Sequence, residues 1–347
     1  MTPEEPALLE VDDLTVSFKV SRFGRRATVR AVDGVSLWVG KGETLGLVGE
    51  SGSGKTTTAH AILQLTQANS GSIRFEGMDL VSSGRSGRRL LRRHAQMIFQ
   101  DPLASLNARL RVEQIIREPL DIHRIGDDQS RRRRVAELVD MVGLPADAIH
   151  RYPREFSGGQ CQRIGIARAL AASPSLVICD EPVTALDVSV QAQILQLLKN
   201  LQRQTEVAYL FIAHDLNVVR HMSARTAVMY LGKIVEEAPS STLFASPRHP
   251  YTQALISAIP VPDPDAPSRR PVLRGEIPSP INPPSGCRFR TRCPHARELC
   301  AAQEPPLEPL GDGAAVACHF WRDIQSSDVS SRTSASVHTG ASQAESS

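Results

Sequence analysis

The chain has 347 residues, of which 41% are hydrophobic and 22% charged, and its 40 basic against 37 acidic side chains leave a formal net charge of +3. That length supports about two domains with a sizeable core, and the balance of residues excludes full disorder and fibrous repeats. The longest unbroken apolar run, Val207 to Ala213, falls far short of the roughly eighteen residues a membrane span needs.

Met1 to Glu10 is acidic and lacks the basic-then-apolar layout of a secretory signal, so a reducing, cytosolic setting is expected. Residues 7 to 49 alternate apolar and polar positions (Leu14, Val16, Phe18; Val35, Leu37, Val39) between glycine-containing turns, the period of strands. Leu45 to Val48 reads as a short buried strand and Lys55 to Leu65 as the helix after it. Further strands are expected at Met97–Phe99, Leu176–Cys179, Val207–Ala213 and Ala227–Leu231, with helices at 130–142, 158–172, 189–203 and 215–222. Such alternation predicts an α/β fold with a parallel sheet covered on its faces. From about residue 246 the texture changes. Twelve prolines fall between Pro247 and Pro294, which predicts a loop-rich module over 246–325, and the serine-rich stretch 326–347 reads as a disordered tail. Residues 1–245 then form the main domain.

Gly49-Glu50-Ser51-Gly52-Ser53-Gly54-Lys55-Thr56 fits G-x-x-x-x-G-K-[ST] and lies between an expected strand and an expected helix, the context this motif requires. Its glycines turn backbone N–H groups inward around phosphates and the helix N-terminus adds partial positive charge. Lys55 then reaches the terminal phosphates, and Thr56 can ligand Mg²⁺. Residues Gly49, Ser51, Gly52, Ser53, Gly54, Lys55, Thr56 and Thr57 are therefore assigned to a nucleoside triphosphate. The apolar run Leu176–Cys179 ends in Asp180, placed to hold Mg²⁺, and Glu181, placed to polarise the attacking water.

With these elements in order, the chain resembles the ATP-binding cassette (ABC) ATPases. Phe156-Ser157-Gly158-Gly159-Gln160 is similar to their signature motif, with Phe where Leu is usual. Gln100 matches the Q-loop, Ala185-Leu186-Asp187 the D-loop and His214 the switch histidine. The resemblance implies a RecA-like core with an antiparallel β subdomain and a helical subdomain. It also implies a head-to-tail dimer in which Gly49–Thr56 of one subunit and Ser157, Gly158, Gly159 and Gln160 of the other enclose one ATP. Phe18 would stack on adenine, Asp187 would border the same ATP, and Gln100 would touch Mg²⁺. His214 would contact the γ-phosphate and assist Glu181 in catalysis.

Gln100–Asn107, Asp180–Gln193, Arg248-His249-Pro250-Tyr251-Thr252 and Gly286-Cys287-Arg288-Phe289 resemble the dipeptide/oligopeptide/nickel importer branch. That likeness implies a peripheral subunit on the cytosolic face of the membrane, working with a second identical or paralogous cassette and two permease subunits. An extracytoplasmic binding protein would act indirectly, and a docking groove for the permeases is expected near residues 100 to 120. Import of di- or oligopeptides is the leading expectation, with nickel or glutathione import the alternative. A soluble ABC ATPase acting on ribosomes or DNA fits less well, because neither a second cassette nor a coiled-coil insertion is present.

Of six cysteines, Cys287, Cys293, Cys300 and Cys318 cluster late with spacing C-x5-C-x6-C-x17-C. Four thiolates on a proline-rich segment can hold Zn²⁺ or a 4Fe–4S cluster, and the importer resemblance implies the cluster. Cys161 and Cys179 read as small packing residues. The arginine runs 85–93 and 131–134 have helical spacing and, with the near-neutral balance, predict solvated faces rather than a nucleic-acid surface.

Overall fold

The computed structural model describes residues 6–22, 25–80, 83–259 and 275–324. The serine-rich tail lies outside these described residues. Strands β1 (Leu9–Arg22) and β2 (Arg25–Val39) form a long antiparallel hairpin, and β3 (Thr44–Val48) leads into helix α1 (Lys55–Ile62). There follow β4 (Ser70–Phe75), β5 (Met78–Asp79), α2 (Gly84–His94), β6 (Ala95–Ile98), α3 (Pro102–Ser105), α4 (Val112–His123), α5 (Asp128–Met141) and α6 (Gly158–Leu170). The second half runs β7 (Leu176–Asp180), α7 (Val188–Thr205), β8 (Ala208–Ala213), α8 (Leu216–Met222), β9 (Arg225–Tyr230), β10 (Lys233–Pro239), α9 (Ser240–Ala245) and α10 (Pro250–Ser257). Short elements α11 (Glu298–Ala302), β11 (Glu308–Pro309) and β12 (Ala315–Val316) close it.

Two sheets result. One has four strands in the order β2-β1-β4-β5, all antiparallel, and the other eight in the order β11-β12-β10-β9-β3-β8-β7-β6. Strands β9, β3, β8, β7 and β6 run parallel. They are mostly apolar because both their faces are buried, with polar residues such as Thr44, Asp180 and Arg225 at their ends, and their side chains divide by parity. Leu45, Leu47, Ile178, Leu210 and Ile212 face a core shared with the hairpin and α1. Val48, Cys179, Tyr209, Phe211 and Tyr230 face a second core shared with α4, α5 and α6. Cys161 and Cys179 are fully buried in this second core, and desolvation raises both thiol pKa values.

The helical layer packs α4 and α3 against α6. Pro119 lies inside α4, an unfavourable position that burial in the second core outweighs. The arginines of 131–134 sit on α5, where Arg131 pairs with Asp121 and Arg132 with Asp128, and Arg134 also donates to the Leu170 carbonyl. Those of 85–93 sit on α2, and Arg85, Arg88, Arg89 and Arg92 face an open groove with His123 and Arg124.

The segment after residue 246 is not set apart from the main sheet. Strand β12 pairs antiparallel with β10 (Glu236 opposite Val316, Glu237 opposite Ala315) and carries β11 beyond it. Tyr251, Phe289 and Ala314 belong to the second core. The carboxylate of Glu236, buried, accepts the Arg248 and His249 amides at 2.7 and 2.9 Å, and His249 Nδ1 caps α10 by accepting the Tyr251 amide at 3.0 Å. The His-Pro-Tyr-Thr motif is thus a helix start, with Pro250 at the first helical position, where its missing N–H costs nothing.

Candidate functional site

The loop of residues 49–54 leaves the C-terminal end of β3, the end at which open parallel sheets bind ligands. Gly54 stands at φ +110°, and a Cβ there would lie 2.2 Å from the Ala31 carbonyl oxygen, so backbone alone fits. At Gly49 a Cβ would lie 2.1 Å from the Met229 carbonyl oxygen. Lys55 is almost wholly buried, and its ammonium donates to the carbonyls of Gly49 (2.8 Å) and Glu50 (3.1 Å). Burial lowers the Lys55 pKa, while the carboxylates of Glu181, Asp180 and Glu50 oppose that shift. The Ser53 hydroxyl is buried without a hydrogen-bond partner among the described residues. An unpaired buried hydroxyl is costly, and in a loop of inward amides an anion would satisfy it.

Neighbouring strands end at the same edge. Asp180, the last residue of β7, accepts a hydrogen bond from the Thr56 hydroxyl at 3.1 Å. Burial raises its pKa, with the Thr56 bond acting the other way. A hydroxyl and a carboxylate this close are hard oxygen donors of the kind Mg²⁺ takes, one or two from protein with the rest from phosphate and water.

Glu181 follows in the left-handed region, φ +47°, an uncommon conformation for a residue with a side chain. Its amide donates to the Ile212 carbonyl at 3.0 Å, which binds the strained turn to β8. Its Oε2 then receives three groups: Gln100 Nε2 at 3.1 Å, His214 Nδ1 at 3.2 Å and Thr184 Oγ1 at 3.3 Å. Gln100 comes from the turn after β6 and His214 from the turn after β8. The structure therefore gathers an amide, an imidazole and a hydroxyl around a single carboxylate oxygen, beside the phosphate loop. Such a constellation can orient a water and accept its proton.

The other expected site residues stand elsewhere. Ser157 caps α6, its hydroxyl accepting from the Gln160 amide at 3.4 Å while the Gln160 side chain accepts the Ser157 amide at 3.0 Å. Gly158 and Gly159 form the first turn of α6, and a Cβ on Gly159 would press on Val190 of α7 at 2.5 Å. Asp187 caps α7 by accepting the Val190 amide at 3.1 Å and the Ser189 hydroxyl at 2.7 Å, which lower its pKa. Phe18 lies on β1, 41% exposed. No hydrogen bond among the described residues joins Phe18, Asp187 or Ser157–Gln160 to the phosphate loop. Thr184, beside Glu181, was absent from the sequence-based set because nothing in a lone threonine signals contact with a carboxylate.

Cys287, Cys293, Cys300 and Cys318 line one small cavity together with His249, Phe289 and Phe320. None forms a disulfide. Burial pushes the Cys293 thiol up to about 11 and the Cys318 thiol up to about 12. Among the described residues, no group of three or more Cys, His, Asp or Glu side chains is arranged to hold a metal ion. The four cysteines of the expected metal centre thus converge on one cavity, but they do not form a metal-ligating group there.

A glycine phosphate loop, an acidic strand end and a carboxylate clasped by Gln and His, all on one edge of a parallel sheet, define a P-loop ATPase of the cassette type. Residues 32–184 match the ABC transporter family model, and residues 235–300 the oligopeptide/dipeptide transporter C-terminal region. The putative oligopeptide transport ATP-binding protein YkfD of Bacillus subtilis is 49% identical over 92% of this chain and 98% of its own length. The oligopeptide transport ATP-binding protein OppF of Escherichia coli is 51% identical over 89% and 95%. The dimeric ATP-binding cassette MJ0796, solved with ADP and Pi, superposes with a TM-score of 0.60 at 28% identity, covering 67% of this chain and 98% of that one. The chain belongs to the oligopeptide/dipeptide family of ABC transporter ATP-binding proteins.

Proposed function

We propose that this protein is the subunit that hydrolyses ATP to drive import of di- or oligopeptides, with Glu181 at the centre of the reaction. The clasp of Gln100, His214 and Thr184 on the Glu181 carboxylate carries the catalytic part of this reading. The peptide-transport relatives and the C-terminal region match carry the transport part.

In the proposed reaction, amides of Ser51 to Thr57 and the Lys55 ammonium hold the triphosphate. Glu181 orients and polarises the attacking water, and His214 positions both it and the γ-phosphate. Bound Mg²⁺, held by Thr56, Asp180 and Gln100, would offset charge on the β- and γ-phosphate oxygens. Ser157, Gly158, Gly159 and Gln160 of a second cassette would close the site from the far side, as the start of α6 offers unpaired amides and a positive dipole end. Asp187 would face that junction and Phe18 the adenine. ATP would favour closure because it alone presents the γ-phosphate to both halves, and hydrolysis would release them. The resemblance to the dimeric cassette MJ0796 supports this pairing.

No described helix is long and apolar enough to cross a membrane. Two permease subunits would supply the path, with this subunit peripheral on the cytosolic face. Phe99 and Leu103 flank Gln100 and are 39% and 55% exposed, and their apolar surface supports docking of a permease loop there. Affinity purification from membranes is expected to recover two permeases and a second cassette, and Leu103→Glu to lose the permeases while retaining nucleotide binding. Recovery with ribosomes alone would overturn the reading, and a nickel- or glutathione-binding partner would favour the alternative substrates.

The shared cavity of Cys287, Cys293, Cys300 and Cys318 supports a 4Fe–4S cluster as part of the same proposal. Anaerobically purified protein is expected to contain iron and acid-labile sulfide, both lost in Cys287→Ser. Zinc without iron would refute the cluster.

A further inference from the structure

The His249-Pro250-Tyr251-Thr252 motif takes no part in the proposed reaction, yet the fold brings it against the phosphate loop. Tyr251 is fully buried, and its hydroxyl accepts the backbone amide of Glu50, the second loop residue, at 2.9 Å. Arg292, from the segment between Cys287 and Cys293, donates to both carboxylate oxygens of Glu50 at 2.7 and 3.0 Å. Its guanidinium also reaches the Tyr230 hydroxyl at 3.4 Å, and its side chain is 5% exposed. Phe289 packs among Tyr230, Tyr251 and His249, with ring centroids 5.3, 5.4 and 5.7 Å away.

Glu50 is therefore fixed twice by the C-terminal segment, once through its backbone and once through its side chain. Its carbonyl accepts the Lys55 ammonium at 3.1 Å, so a shift of Glu50 is transmitted to the lysine that meets the phosphates. The charge matters as well. A carboxylate in the loop repels a polyphosphate and competes with it for Lys55, and a bidentate guanidinium in a buried setting cancels that charge.

We propose that Arg292 and Tyr251 are positioning residues for the phosphate loop: they fix Glu50 and neutralise its carboxylate, making the C-terminal segment a working part of the ATP site.

The test is titration of the full chain with a fluorescent ATP analogue, alongside steady-state kcat and KM. Arg292→Met is expected to raise the nucleotide Kd about 10- to 100-fold, less than the full cost of stranding a buried charge because Glu50 is 21% exposed, with kcat at saturating ATP changed less than about threefold. Arg292→Lys falls between the two. Tyr251→Phe, which frees one amide, raises Kd about threefold. The deciding variant is Arg292→Met combined with Glu50→Gln, which removes the stranded charge and restores Kd to within about threefold of the parent. A purely structural arginine would show no such rescue. An unchanged Kd in folded Arg292→Met, or a double variant as weak as the single, overturns the proposal. Should Arg292→Met not fold, Arg292→Lys with and without Glu50→Gln decides it in the same way, equal affinity in both and in the parent overturning it.

Discussion

Glu181→Gln is expected to lower ATP turnover about 100- to 1,000-fold while leaving ATP binding within a few-fold of the parent, because it removes the base but keeps the hydrogen-bond acceptor. The amide oxygen can still receive the Gln100 and Thr184 donors that reach the carboxylate at 3.1 and 3.3 Å. The left-handed turn at φ +47° is set by the backbone and does not depend on the side-chain charge. Binding without cleavage leaves the closed form without an exit, so ATP is expected to convert the variant to a stable dimer on gel filtration. A turnover within about threefold of the parent would remove Glu181 from the centre of the mechanism.

The second large effect concerns stability. Arg225, at the first position of β9, donates to Glu43 at 2.7 Å and to Glu237 at 2.9 Å, and its guanidinium lies 3.3 Å from the Trp38 ring centroid. All three charged side chains are largely buried, at 9%, 17% and 7% exposure for Arg225, Glu43 and Glu237. Arg225→Met keeps the apolar contact with Trp38 but strands two carboxylates, and is expected to cost about 3 to 5 kcal/mol. Burial already raises the Glu237 pKa in the folded protein, with Arg225 opposing it. Without the arginine the folded value rises further, whereas an unfolded glutamate titrates near 4.3. Above that pH the unfolded chain binds fewer protons than the folded variant, so the variant loses stability as pH rises. Urea unfolding is expected to show a larger deficit at pH 7.5 than at pH 5. Equal deficits would show that Glu237 does not carry the effect.

Much of the site is local in sequence. Gly49 to Gly54 form the loop between β3 and α1, where a Cβ at Gly49 or Gly54 would clash with backbone. The apolar runs at 45–48, 176–179 and 207–213 became β3, β7 and β8 within a residue or two, because strands buried on both faces show no polar interruption. Elements with weaker patterns escaped the sequence-based expectation. Helix α4 contains Pro119, and β10 carries Glu236 and Glu237 in a buried row, so their patterns carried no helix or strand signal.

The sequence by itself determined that Gly49–Thr56 carries a phosphate-loop motif, that Asp180 and Glu181 follow a buried strand, and that four cysteines share one late segment. These follow from residue type and short spacing, which backbone sterics and burial convert into local structure. Only the tertiary structure decided that Gln100, Thr184 and His214 meet on one oxygen of Glu181, and that Tyr251 and Arg292 clamp Glu50 from 201 and 242 residues away. Those contacts depend on strand order in the sheet and on the pairing of β12 with β10. Register and packing across a whole core set such relations, and no local run of residues encodes them.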